Sequence, residues 1–152
     1  MNLNVQPTNS KNKKMRTDYH ETSILEYKRS LGLSNTIDNV LIVSKLPGEV
    51  MGLMLGSWVQ MIFAERFILS FEDAGIVMLG LDLRQNFSGN NQLINRESIQ
   101  SIHLKNRNMV SKLVVEMQDH SFKFNADQFI DEAPFQYDNL KGLARFEDKY
   151  RG

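Results

Sequence analysis

Two apolar segments joined by a four-residue connection constrain the fold of this chain more than any other feature. Residues 67–71 read Phe-Ile-Leu-Ser-Phe, and residues 76–81 read Ile-Val-Met-Leu-Gly-Leu. The connection at 72–75 is Glu-Asp-Ala-Gly. Two β-rich runs separated by a short turn that contains glycine are typical of a β-hairpin. We therefore expect an antiparallel sheet.

The most apolar stretch of the chain precedes this hairpin and raises the question of a membrane helix. It holds fifteen residues between Glu49 and Glu65, whereas a helix that crosses the bilayer needs about twenty. Gly48, Gly52 and Gly56 recur at a spacing of four. That spacing is typical of paired membrane helices only inside a longer apolar segment. The sequence therefore predicts no transmembrane segment.

The second half of this stretch has the composition of a strand. Aromatic and β-branched residues predict a strand from about Trp58 to Phe71, broken near Ala64 and Glu65. A glycine inside a helix costs about 1 kcal/mol relative to alanine. The three glycines therefore fit a turn or loop that leads into the strand, and a short helical turn after Pro47 is the alternative.

Helical periodicity occurs near both ends of the chain. The first predicted helix is capped by Thr17 or Asp18 and ends at Gly32. Its apolar face consists of Ile24, Leu25, Tyr27 and Leu31. Pro134 precedes a second amphipathic helix, which Gly142 weakens slightly. The apolar face of that helix consists of Tyr137, Leu140, Leu143, Ala144 and Phe146.

Further strand patterns lie between the two helices. Strands are predicted at residues 39–47, 99–104, 111–117 and 121–125. The first of these places Val40, Ile42 and Ser44 on one face. Residues 84–92 are polar and predict a loop, and residues 96–98 predict a turn or a single helical coil.

Together these elements predict an α+β domain that spans residues 17–152. Consecutive hairpins imply a curved antiparallel sheet or partly open barrel of six or seven strands, with an N-terminal helix and a C-terminal capping helix. Residues 1–16 are expected to form a flexible basic tail, because they offer too little apolar area to offset the entropy of ordering. Its candidate phosphate contacts are Lys11, Lys13, Lys14 and Arg16.

Three segments resemble a bacterial pleckstrin-homology-like (PH-like) domain, over about residues 38–150. They are the paired strands at 59–83, the polar turn and strand at 94–106, and the hairpin at 111–129 that precedes the C-terminal helix. The resemblance implies a bent sheet of seven strands, capped by one helix and used as a binding platform. Members of the family are generally not enzymes.

Eukaryotic relatives in this family hold phosphoinositide headgroups with basic residues around the first hairpin. The corresponding loop here, at residues 47–57, follows Lys45 and contains Glu49. No further basic residue occurs until Arg66. This departure from the family pattern argues against binding of inositol phosphates.

The composition offers little for catalysis or for a global electrostatic field. Lys and Arg number 18, as do Asp and Glu, so no net charge attracts a polyanion. The chain has no cysteine, which excludes thiol chemistry and suits a cytoplasmic location. His20, His103 and His120 lack the spacing of metal ligands, and His103 is expected to face solvent. We expect no enzyme, no metal and no cofactor.

The remaining candidate is an apolar, methionine-rich surface, since such surfaces adapt to binding partners. It consists of Met51, Leu53, Met54, Leu55 and Trp58. Burial of these residues under the N-terminal helix is the alternative. The sequence thus predicts a non-catalytic binding module that acts as a protein-interaction scaffold and self-associates through this surface. The alternative is a protein that binds RNA or an anionic membrane surface through its basic tail and a β-sheet face.

Overall fold

The computed structural model of the protein describes residues 19–45 and 65–150. Within them, helix α1 spans Glu21–Ser30, and strands β1 to β7 span Val40–Lys45, Glu65–Glu72, Gly75–Leu81, Phe87–Asn95, Ile99–Asn106, Val110–Met117 and Ser121–Asp127. A single 3-10 turn at Arg96–Ser98 connects β4 to β5. Helices α2 and α3, at Phe135–Lys141 and Ala144–Lys149, follow the last strand.

The seven described strands form one curved, unclosed antiparallel sheet in the order β4-β3-β2-β1-β7-β6-β5. The predicted hairpin is β2–β3, with Glu72 opposite Gly75. Strands β1 and β7 are paired only at Ser44 and Asn125, so the sheet splays apart at this point. The predicted α+β fold class is confirmed. The part of the predicted strand at 58–64 lies outside the described residues.

Apolar side chains are buried on both faces of β1, and this divides the interior into two clusters. Leu41 and Val43 belong to the main core, which the bent sheet encloses together with α2 and α3. Val40 and Ile42 belong to a second cluster on the opposite face, which α1 covers. Complete burial of an aliphatic side chain such as Ile24 of α1 contributes about 1.5–3 kcal/mol. Helix α1 is therefore part of the domain.

The prediction of a polar loop at residues 84–92 is correct for 84–86 and wrong for 87–92, because β4 begins at Phe87. Phe87 stacks on Tyr27 of α1, with ring centroids 3.8 Å apart. Buried Asn91 donates a hydrogen bond to the Tyr27 hydroxyl over 3.0 Å. The polar residues of β4 are thus compatible with a strand, since the inward Asn91 contacts α1 while Asn90 and Gln92 face solvent.

The C-terminal segment forms two helices where one was predicted. Gly142 ends α2, so the effect of this glycine is larger than the predicted weakening. The change of direction also places Ala144 in an exposed position and Tyr137 only partly in the interior. Leu140, Leu143 and Phe146 do lie in the main core.

The predicted boundaries of the first helix are correct at one end only. Gly32 has φ 74° directly after the helix, a conformation that glycine adopts without strain. At the start, His20 occupies the N-cap position without a side-chain hydrogen bond. The prediction of Thr17 or Asp18 as the cap is therefore wrong.

The other sequence-based strands agree with the structure. The predicted turn at 96–98 is the 3-10 turn, and the strands predicted after it correspond to β5, β6 and β7. In the part of the chain that the structure describes, no helix is long and apolar enough to cross a bilayer.

Candidate functional site

Large apolar side chains are exposed together at one end of the sheet, where the β5–β6 turn meets the segment after β7. Met109 is 69% exposed, Phe129 is 61% exposed and Val110 is 37% exposed. The backbone N–H of Gln128 donates to the carbonyl of Met109 over 2.9 Å, which holds the two segments side by side. We call Met109, Val110, Phe129 and the half-buried Tyr137 the apolar patch.

An aromatic pair extends this patch onto α2. The rings of Phe129 and Tyr137 stack with centroids 4.8 Å apart and an interplanar angle of 17°. The ammonium group of Lys141 lies 4.2 Å from the Tyr137 ring centroid on the same helix. Such a contact between a cation and a ring contributes about 0.5–1 kcal/mol at an exposed site. Phe129 therefore has a fixed partner although most of its surface remains in water.

Two buried amides hold α2, and with it Tyr137, against β1. The side chain of Gln136 accepts from the N–H of Ile42 over 2.9 Å and donates to the Ile42 carbonyl over 2.8 Å. The side chain of Asn139 donates to the carbonyl of Val40 over 2.8 Å. These amides occupy the place that strand pairing leaves open where β1 and β7 separate. The position of the patch is thus set by buried hydrogen bonds.

A basic surface adjoins the apolar patch on the outer side of strands β5, β6 and β7. Lys105 lies directly opposite Lys112, and Lys123 lies opposite Val114, which in turn is opposite His103. Residues opposite each other in an antiparallel sheet point to the same face. We call Lys105, Lys112, Lys123 and His103 the basic face. Here, unlike at β1 to β4, none of the described helices covers the outer side.

A serine, a histidine and a glutamate meet at one corner of this surface. The Ser101 hydroxyl lies 3.1 Å from Nε2 of His103 and donates to the Glu116 carboxylate over 3.0 Å. The carboxylate is 3.8 Å from the same Nε2. In a nucleophilic triad the carboxylate instead binds the other ring nitrogen and orients the base. The side chains of His103 and Glu116 are each more than half exposed. The solvent-facing position predicted for His103 is therefore confirmed.

A buried ion pair lies between α1 and β2. Lys28 is fully buried, and its ammonium group lies 3.5 Å from the Glu72 carboxylate. It also donates to the carbonyl of Thr36 over 2.8 Å and to the Asn39 side chain over 2.7 Å. Burial lowers the pKa of Lys28, and the charge of Glu72 opposes this shift. With its donors engaged inside the protein, Lys28 ties α1 to the sheet.

Other buried polar groups also serve the fold. The Tyr150 hydroxyl donates to the carbonyl of Glu72 over 2.6 Å and lies 3.1 Å from that of Gly75. Burial, followed by the charges of Glu72 and Asp73, raises the pKa of Tyr150 well above its usual value. This hydroxyl therefore remains protonated and anchors the end of α3 to the β2–β3 hairpin.

Two pockets on the described residues, one beside β5 and one at the β3–β4 loop, are small or shallow. A partly open pocket of about 50 Å³ lies between β5 and α3, lined by Gln100, Ser101, Ile102, His103, Glu147 and Tyr150. That volume accommodates a few water molecules. Within residues 19–45 and 65–150, no three His, Asp or Glu side chains converge as a metal site would require.

One further apolar side chain is exposed on its own. Leu83, in the β3–β4 loop, is 88% exposed. The Asp82 carboxylate accepts from the N–H groups of Arg84 and Asn86 and fixes this loop. A single exposed leucine is normal on a protein surface, which makes it a useful control position.

The candidate residues chosen from the sequence lie outside the described residues. These are Met51, Leu53, Met54, Leu55, Trp58, Lys11, Lys13, Lys14 and Arg16. Sequence reasoning missed the apolar patch, although a signal was present. Met109 ends a polar turn, and Phe129 stands between Gln128 and Ile130, before two acidic residues. Neither residue belongs to a periodic pattern that would bury it.

No family model matches the chain, and no curated protein matches it either.

Proposed function

We propose that the protein is a non-catalytic, cytoplasmic binding module that acts as a protein-interaction scaffold. Its described architecture, a bent antiparallel sheet with a helix before it and helices after it, fits the PH-like roll that the sequence resembles. Members of that family serve as binding platforms. The absence of cysteine suits a reducing compartment.

The apolar patch is the observation that carries this proposal. Met109 and Phe129 are each more than 60% exposed and come from segments that are hydrogen-bonded to each other. Aromatic and methionine side chains are enriched at the centres of protein interfaces. The stacked pair of Phe129 and Tyr137 offers a preformed anchor, so a partner would not need to order it.

Self-association is part of the proposal, since a patch of this kind also fits a second copy of the chain. A homo-oligomer would remove Met109 and Phe129 from water without any other partner. The methionine-rich segment at 51–58, chosen from the sequence, is a second candidate for the same role.

The test introduces a charge into the patch. We expect Met109→Glu combined with Phe129→Glu to abolish self-association in sedimentation velocity, or to abolish capture of the partners that wild type retains. Loss of the Phe129–Tyr137 stack should lower the unfolding free energy by about 0.5–1.5 kcal/mol and no more, because both substituted side chains are mostly exposed. Leu83→Glu is the matched control, because Leu83 is exposed but lies outside the patch.

Retention of oligomers and partners by the double variant would contradict the proposal. The same holds if Leu83→Glu removes them equally, because the effect would then be one of general charge. A large loss of stability in the double variant would show that these side chains serve the fold and not an interface.

A further inference from the structure

We propose that the partner of the apolar patch is an acidic protein segment, whose carboxylates bind the basic face while an apolar side chain docks on the patch. This inference rests on the proposed function and specifies the chemistry of the partner. Three observations on the described residues support it: the two surfaces are continuous, the lysines lack counter-ions, and the surrounding charge is mixed.

The basic face and Val110, one member of the apolar patch, share one side of the sheet. Val110 and Lys112 are two residues apart in β6, so their side chains point the same way. Lys105 is directly opposite Lys112 in β5. Two residues along a strand are separated by about 6.6 Å and neighbouring strands by about 4.8 Å. One extended segment can therefore contact Val110 and both lysines.

The lysines of this face differ from the other lysines that the structure describes. Lys28 and Lys149 each lie within ion-pair distance of a carboxylate. Lys45 and Lys141 each lie over an aromatic ring. The three lysines that, among the described residues, have neither kind of partner are Lys105, Lys112 and Lys123. All three lie on the basic face.

The pairing of Lys105 with Lys112 is unfavourable for the isolated domain. Like charges directly opposite each other destabilise an antiparallel pair. A carboxylate placed between the two ammonium groups would convert this repulsion into two attractive contacts. The arrangement thus provides charge complementarity for an acidic ligand without stabilising the free protein.

The surrounding charges favour a protein segment over a polyphosphate. Asp127 lies directly opposite Val110 at the junction of the two surfaces. Asp131 and Glu132 are exposed just beyond Phe129. A nucleic acid or an anionic bilayer carries dense negative charge that these carboxylates would repel. A protein segment can place a few carboxylates at the lysines and an apolar side chain at Phe129.

The experiment selects short random peptides, displayed on phage, against the immobilised full-length protein. We expect the selected peptides to be enriched in Asp and Glu and to carry a bulky apolar residue. Their affinity for Lys105→Gln combined with Lys112→Gln should fall about fivefold to tenfold, as expected for the loss of two exposed ion pairs. Added salt should weaken wild-type binding. Arg29→Gln combined with Arg84→Gln is the control, since it removes two charges elsewhere.

The outcomes distinguish the acidic segment proposed here from the more general protein-interaction function proposed above. Peptides that require Phe129 but show no acidic enrichment would overturn this inference and leave the proposed function in place. A selection without any peptide that depends on Met109 or Phe129 would overturn both. Binding of polyuridylate or of phosphatidylserine vesicles, lost in the double lysine variant, would replace the acidic segment by a phosphate ligand.

Discussion

At the scale of single residues, the buried ion pair of Lys28 and Glu72 is expected to contribute strongly to stability. Replacing Glu72 by glutamine keeps the shape of the side chain but leaves a buried ammonium group without its counter-charge. Loss of one partner of a buried pair typically costs about 3 kcal/mol or more. We expect Glu72→Gln to lower the unfolding free energy by about 3 kcal/mol, measured by urea denaturation with circular dichroism.

The pH dependence of the same variant gives an independent check. Burial alone would raise the pKa of Glu72, but hydrogen bonds from Ser70 and Ser34 and the charge of Lys28 together lower it. A carboxyl group with a lowered pKa stabilises the folded state above its unfolded-state pKa of about 4.3, and the effect is lost as the pH falls through the folded value. The difference between wild type and Glu72→Gln should therefore be full at pH 7 and shrink below about pH 4. If the stability difference between wild type and Glu72→Gln stayed constant with pH, it would not arise from the charge of the Glu72 carboxylate.

Gln136 is the second residue with a specific prediction. Gln136→Ala would leave both backbone polar groups of Ile42 without their side-chain partner. Buried polar groups without partners cost about 1–3 kcal/mol each. We expect a loss of about 3 kcal/mol in the same urea assay. Gln100→Ala, at an exposed position of β5, is the matched control and should change stability by less than about 0.5 kcal/mol.

At the scale of elements, two glycines at chain reversals should respond in opposite ways to substitution by alanine. Gly75 has φ 142°, and a methyl group there would overlap the backbone carbonyl of Ile94. We expect Gly75→Ala to cost about 3 kcal/mol or more. Gly142 has φ −81°, and the nearest atoms to a methyl group there would belong to the guanidinium of Arg145, the far end of a flexible and exposed side chain that can shift. Gly142→Ala should be neutral or stabilising by up to about 1 kcal/mol.

Thermal denaturation of the two variants measures this contrast. Equal losses of stability would mean that the reversal between α2 and α3 depends on glycine as strictly as the β2–β3 turn does. Equal tolerance would mean that the hairpin relaxes around an added methyl group.

Element prediction from the sequence succeeded where the local pattern is dominated by one kind of signal. The β2–β3 hairpin combines alternating apolar residues with a glycine turn, and β5 to β7 show the same alternation. Strand β4 was missed because its apolar residues are sparse and its inward Asn91 is stabilised by Tyr27 of α1. The break at Gly142 was underestimated, since a glycine at one position fits a continuous helix as well as a helix end.

At the scale of the whole molecule, the order of the strands predicts how stability is distributed. β2 lies between β1 and β3, and β3 lies between β2 and β4, so each has a strand on both sides. Side chains of both strands are buried on both faces of the sheet. β4 and β5 lie at the two edges of the described sheet. In hydrogen exchange followed by NMR, we expect the amides of Ile68, Leu69 and Met78 to exchange only through global unfolding. The outward amides of β4 and β5 should exchange faster by orders of magnitude.

This prediction has a clear opposing outcome. Protection of the outward amides of β4 or β5 to the same level would mean that these edges are covered in solution. Protection of that kind, if it depends on protein concentration, would indicate pairing between copies of the chain.

The sequence by itself determined the fold class, most of the strand positions and the presence of a helix near each end. These features follow from alternation, helical spacing and turn residues, all of which act between neighbours in the chain. Only the tertiary structure decided which polar residues are buried and which apolar residues are exposed. Gln136 bonds to a residue 94 positions away, and Asn91 to one 64 positions away. Met109 and Phe129 form one patch only because the strands bring their segments together. Contacts of this range depend on where the elements pack, and a local pattern carries no information about that.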